Sequence, residues 1–145
     1  MAEFSYAKGR IVESIQFISE EIREFEQEYA SKTWQEYQID RKLQKLMDRT
    51  VENILTALIE VCGTINTLRG VGVESYGDAV KKTAESLGFS ENDQQNLAKL
   101  ATQRNRLAHR YLNSRWQAVN MLKQRMDLVI RMITEILAKE AVVSP

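Results

Sequence analysis

Apolar residues recur near the start of the chain at helical intervals. Ile11, Ile15, Ile18, Ile22, Phe25 and Tyr29 are spaced four, three, four, three and four residues apart. This is one stripe of an amphipathic helix, which the period-2 alternation of a strand does not produce. Glu13, Glu20, Glu21, Glu24, Glu26 and Glu28 fill positions between them as a solvated face. A short polar joint around Ser31 and Thr33 follows. The next stripe, Leu43, Leu46, Met47, Val51, Ile54, Leu55, Leu58, Val61, Cys62, Ile65 and Leu68, predicts a long helix with a wide apolar face. Gly63 inside it costs about 1 kcal/mol relative to Ala and leaves room for a close helix crossing. Gly70 and Gly72 predict the stop and the turn.

A shorter helix is predicted from about Ser75 to Leu87, ending at Gly88. Ser90 with Asp93 three residues later marks the next helix start, and that helix is expected to run to about Leu112. Asn113 and Ser114 are expected to form a joint, with Ser114 as the N-cap of a last helix. That helix carries Trp116, Val119, Met126, Val129, Ile130, Ile133, Ile136 and Leu137. The predicted architecture is all-α, a four- to five-helix up-down bundle forming one domain over residues 1–145. The long stripes suit a monomer whose faces all turn inward. They equally suit a dimer closed through one helix face.

No uninterrupted apolar run exceeds three residues, whereas a spanning helix needs about 20 and a signal peptide about 7. The single Cys excludes an intramolecular disulfide, and the single His excludes a multi-His metal centre within one chain. With no cysteine framework the sequence reads as cytoplasmic. The 20 basic and 20 acidic side chains cancel, which argues against a generally basic nucleic-acid coat. The cancellation hides an asymmetry. Residues 94–126 hold Lys99, Arg104, Arg106, Arg110, Arg115, Lys123 and Arg125 and no acid, a block of +7, and the acidic excess lies elsewhere. A charge run is usually a solvated face. This one also contains the only His and two aromatic residues, Tyr111 and Trp116, a mixture suited to RNA.

On a continuous helix, Leu97, Leu100, Ala101, Leu107, Ala108 and Leu112 define the apolar face of this block. Arg104 and Tyr111 then fall within that face. Asn105 and His109 stack on an adjoining edge, and Arg106 and Arg110 point to solvent. An arginine in an apolar stripe must snorkel, find a carboxylate or face a cleft. His109 can give or take a proton near neutral pH, and Arg104 can stabilise charge developing on a phosphorane. No dense carboxylate set lies nearby to hold magnesium. The set favours metal-independent RNA cleavage by the ribose 2′-OH, leaving a 2′,3′-cyclic phosphate and a 5′-OH. Such a reaction uses both a base and an acid, so one His per chain favours a symmetric dimer. Arg106, Arg110 and Arg115 are candidate RNA contacts. No cofactor is expected.

Arg104-Asn105-x-x-x-His109-x-Tyr111 resembles the R-x4-H-x-Y signature of HEPN-domain toxins from MNT–HEPN toxin–antitoxin modules, the HepT-like family. The upstream run Glu74-Ser75-Tyr76-Gly77-Asp78-Ala79 is similar to the segment that precedes the signature there. The resemblance covers most of the chain, with only the signature region specific. It implies an all-α ribonuclease working without metal, as a homodimer whose signature helices form the cleft. Arg104 and His109 would be the catalytic pair, with Asn105 beside them. The implied partner is an MNT-type nucleotidyltransferase antitoxin that transfers AMP to Tyr111 and so blocks the cleft. Arg110 stands where relatives often carry a small or acidic residue. Two other readings stay open: a non-catalytic HEPN subunit that binds nucleotide or a nucleotidyltransferase, and a plain helical interaction module with solvated arginines.

Overall fold

The computed structural model describes residues 2–143, with side chains described over residues 9–140. Pro145, the chain's lone proline, lies outside the described residues. These are all-α, with no strand among them. Seven α-helices follow one another: α1 (Ala2–Glu24), α2 (Trp34–Ile39), α3 (Arg41–Leu68), α4 (Tyr76–Ser86), α5 (Glu91–Thr102), α6 (Leu112–Gln124) and α7 (Met126–Val143). A π-helical turn, Phe25–Tyr29, extends α1, and a 3-10 segment, Gln103–Ala108, follows α5. None of the described helices is long and apolar enough to cross a membrane.

The predicted stripes are the core. Ile11, Ile15, Ile18, Ile22, Phe25 and Tyr29 are all buried, as are Met47, Val51, Ile54, Leu55, Leu58, Val61 and Cys62 of α3. Helix α3 is the central element. It packs against α1, against α4 and, more lightly, against α5, α6 and the 3-10 segment. Truncating a fully buried Ile or Leu here, such as Ile18 or Leu58, costs about 2–5 kcal/mol. Cys62 is wholly buried beside Thr83, and burial pushes its thiol up to about 12, so it is an inert core residue.

Caps explain most of the boundaries. Thr33 and Glu36 form a reciprocal capping box at α2. Asp40, Ser75 and Ser90 each accept a backbone N–H three residues on and start α3, α4 and α5. Gly70 and Gly88 take positive φ, 71° and 85°. At each, the two amides that follow the helix bond back to its last turn, Val71 N to Asn66 O and Phe89 N to Ala84 O among them. These are glycine-dependent stops, as the sequence predicts.

Several expectations are corrected. The described residues form seven α-helices rather than four or five, because the joint after Tyr29 contains α2 and the last helix is two. Helices α6 and α7 are separated at Arg125, whose φ of −105° and ψ of 12° break the run. Gly63 serves no crossing, since a Cβ there would meet nothing within 4 Å. The close approach is at Gly77, where a Cβ would lie 3.2 Å from the Ala98 carbonyl oxygen, seating the start of α4 on α5.

The largest correction concerns the signature. The helix from Ser90 does not reach Leu112. It stops at Thr102, tightens into the 3-10 segment, and opens into extended backbone at His109 (φ −77°, ψ 150°) and Tyr111 (φ −75°, ψ 124°). Asn113 and Ser114 are not a joint but lie inside α6, and Tyr111 occupies its N-cap without a side-chain cap bond. Residues 103–111 contain neither Gly nor Pro, so no local breaker is responsible. Contacts on both sides set the path: Leu107 is buried, while α6 is held by Arg115 on Asp48 and by Trp116 on Tyr37 and Trp34. Tertiary packing overrides helix propensity here.

Candidate active site

Arg104 is the arginine that helical spacing would set in an apolar stripe. It sits in the 3-10 segment, half-buried. Its Nε donates to Thr56 Oγ1 of α3 at 2.8 Å. Its guanidinium carbon lies 5.8 Å from the centre of the Tyr76 ring at the start of α4, within cation–π range. No carboxylate among the described residues pairs with it. A hydroxyl and an aromatic face therefore orient the guanidinium while its charge stays uncompensated.

Asn105 is exposed and borders an open depression of about 290 Å³. Ser75, Tyr76, Gly77 and Thr102 complete the lining. Arg104 and Asn105 thus meet at Tyr76, brought there by the seating of α4 on α5. His109 lies beyond the 3-10 segment, where its amide donates to the Arg106 carbonyl at 3.2 Å. The expected stacking of Asn105 and His109 on one helix edge is absent, because the backbone between them is not α-helical and His109 itself is extended. His109, Arg110 and Tyr111 are exposed, Tyr111 at 68%, and their side chains make no hydrogen bond or ring contact among the described residues. Within one chain, His109 is not bonded to Arg104.

The candidate RNA-contacting arginines separate into different roles. Arg110 faces solvent. Arg106 donates to Gln117 Oε1 across the bend, tying the 3-10 segment to α6. Arg115 is turned inward, with Nη1 2.7 Å from Asp48 Oδ2 and a buried Nε that has no partner. Asp48 also accepts the Tyr37 hydroxyl at 2.7 Å. Burial raises the Asp48 carboxyl above its ordinary value, and Tyr37 and Arg115 pull it back. The Tyr37 phenol is raised too, by burial and then by Asp48. The Tyr37 and Trp116 rings stand 5.1 Å apart, with Trp34 beside both. Arg115 is therefore committed to a buried ion pair.

Sequence reasoning missed Thr56, Tyr37 and Asp48. Thr56 precedes Arg104 by 48 residues, and no spacing pattern links them. Asp48 carried a readable signal, because it is an acid between the buried positions Met47 and Val51 of an apolar stripe. Tyr76 lay in the run quoted upstream of the signature, without a role.

Among the described residues no group of three or more His, Cys, Asp or Glu is placed to hold a metal ion. No curated protein matches the chain. A family model does, the one described as Ribonuclease HepT-like, and it aligns with residues 18–139. That span takes in the end of α1, all of α2 to α6, most of α7 and the Arg104–Tyr111 segment, so the chain belongs to the ribonuclease HepT-like family, with the helical fold and the signature region both inside the match.

Proposed function

We propose that this chain is a metal-independent endoribonuclease and the toxin of an MNT–HEPN pair. The observation that carries the reading is Arg104. It is anchored by Thr56 and Tyr76, unpaired with any described carboxylate, and set in a stretch without acids. Its terminal nitrogens make no hydrogen bond among the described residues, which suits a phosphate clamp. Membership of a ribonuclease-like family supports the same reaction class.

In the proposed reaction the ribose 2′-oxygen attacks its own phosphorus. The 2′-O–P bond forms and the P–O5′ bond breaks. One His109 takes the 2′-OH proton, and a second His109 gives a proton to the departing 5′-oxygen. Arg104 holds the charge that builds on the equatorial oxygens, with Asn105 as a neighbouring polar contact. One histidine per chain fills one role, so the catalytic unit is a homodimer. The exposure of His109 and its separation from Arg104 in one chain support a site completed by a second copy.

Tyr111 is the proposed point of control. Its exposed hydroxyl suits attack on the α-phosphorus of ATP, with pyrophosphate leaving, when a nucleotidyltransferase antitoxin docks. The added AMP places an anion and a bulky base beside the RNA path.

Expressed alone, the wild-type chain is expected to arrest growth and to cleave RNA in EDTA, while Arg104→Ala and His109→Ala do neither. Co-expression with an MNT-type nucleotidyltransferase antitoxin is expected to add one AMP mass to the wild type and none to Tyr111→Phe. A wild type that neither harms cells nor cuts RNA overturns the nuclease reading. RNA or nucleotide binding that survives in both variants then assigns the chain to a non-catalytic HEPN subunit.

A further inference from the structure

The depression beside Arg104 is lined by an aromatic ring that the cleavage chemistry does not use. Tyr76 is 48% exposed although one side of it carries the Arg104 guanidinium. A large aromatic ring half open to solvent at the rim of a 290 Å³ hollow is unusual enough to ask what covers it. The hollow is close to the roughly 300 Å³ of the smallest ligand clefts.

The backbone that carries the ring is also well anchored. It belongs to the first residue of α4, whose N-cap Ser75 accepts the Asp78 amide at 3.0 Å. The Glu74 amide donates to Asp78 Oδ2, also at 3.0 Å. Gly77, directly after Tyr76, is buried against the Ala98 carbonyl. A ring carried on an anchored backbone has less freedom to lose when a flat partner lies on it. Asn105 shares the lining of the hollow, and its carboxamide offers a donor and an acceptor with no partner among the described residues. The nearby Asp78 is neutralised by Lys82 at 3.1 Å, and no carboxylate lines the hollow. The Arg104 guanidinium lies on the Tyr76 ring beside it.

A flat ring, a two-way hydrogen-bonding edge and an adjacent cation match one ligand chemistry: a nucleobase followed by a phosphate. We propose that this hollow is a nucleobase subsite for single-stranded RNA. The Tyr76 ring is the stacking platform, Asn105 reads the base edge, and the phosphate next to that base is delivered to Arg104. The inference rests on the nuclease reading for its substrate class. It adds a substrate-binding residue, Tyr76, outside the R-x4-H-x-Y signature.

The test uses the full chain and a labelled single-stranded oligoribonucleotide, 2′-O-methylated throughout so that it binds without being cut. Tyr76→Phe is expected to bind it as wild type does. Tyr76→Leu and Tyr76→Ala are expected to bind about 5- to 100-fold more weakly, the range of one aromatic–base stack. A scan of abasic positions along the strand adds a readout that a folding role leaves unmoved. The most sensitive abasic position should weaken wild type by the same factor and cost Tyr76→Leu nothing further. Equal binding by Phe and Leu variants, no binding by wild type, or equal abasic losses in wild type and Tyr76→Leu overturns the subsite. The two readings fail separately. Cleavage of ordinary RNA with no Tyr76 dependence removes the subsite and keeps the nuclease. Ring-dependent binding without cleavage does the reverse.

Discussion

Two clusters of arginines and aromatic residues lie within a dozen residues of each other and do opposite things. At the start of α6, Arg115 and Trp116 turn inward onto Asp48, Tyr37 and Trp34, and every strong charge there has a counter-charge. Just before it, Arg104, His109, Arg110 and Tyr111 have no carboxylate among the described residues, and all but Arg104 are exposed. Both combine arginine with aromatic rings. Burial and the position of one acid, Asp48, separate a structural clamp from an open, acid-free surface. The clamp also shapes the surface, because holding the first turn of α6 on α3 is what forces the chain at 109–111 out of a helix.

The largest effects are expected at the clamp. Removing either member of a buried ion pair strands the other charge, at about 3–5 kcal/mol. Asp48→Ala or Arg115→Ala is expected to lower Tm by roughly 10 °C. Tyr37→Phe, which loses only the hydroxyl on Asp48, should cost about 1–2 kcal/mol. Arg110→Ala should leave Tm within about 2 °C, since a surface change is worth about 0.5 kcal/mol. Thermal melts of the four variants check the ranking, and equal losses from Arg115 and Arg110 would erase the distinction.

A smaller effect sharpens the active side. Thr56→Val keeps the shape of the residue and removes the oxygen that accepts from Arg104 Nε. RNA cleavage is expected to fall about tenfold with Tm little changed, because the guanidinium keeps Tyr76 but loses its anchor. Initial rates beside melting curves measure this. The smallest effect belongs to Arg110. If it meets one phosphate of a single strand, Arg110→Ala should reduce the slope of log affinity against log salt by about 0.7, whereas a buried Arg115 acts on the slope only through loss of fold. Binding titrations across a salt series read that difference.

Much of the fold was legible because it depends on local rules. The four- and three-residue spacing of Ile11 to Tyr29, the caps at Ser75 and Ser90, and the stops at Gly70 and Gly88 are properties of short stretches. The path through 103–111 was not legible, because no breaker marks it and its cause lies in contacts to α3 and α2. The signature residues were readable as a group from their types and spacing. Their arrangement was not. Thr56 and Tyr76 join Arg104 only through the packing of α3 and the approach of α4 to α5 at Gly77, which no helical wheel of the signature alone contains.

The central claim is that Arg104 and His109 carry out transphosphorylation at the exposed side of this divide. The most direct measurement is the chemistry of the ends left on RNA cut by the purified chain in EDTA. Fragments ending in 2′,3′-cyclic phosphate and beginning with 5′-OH are expected, and none from Arg104→Ala or His109→Ala proteins that melt as the wild type does. Fragments with 5′-phosphate ends, cleavage abolished by EDTA, or undiminished cleavage by either folded variant would contradict it.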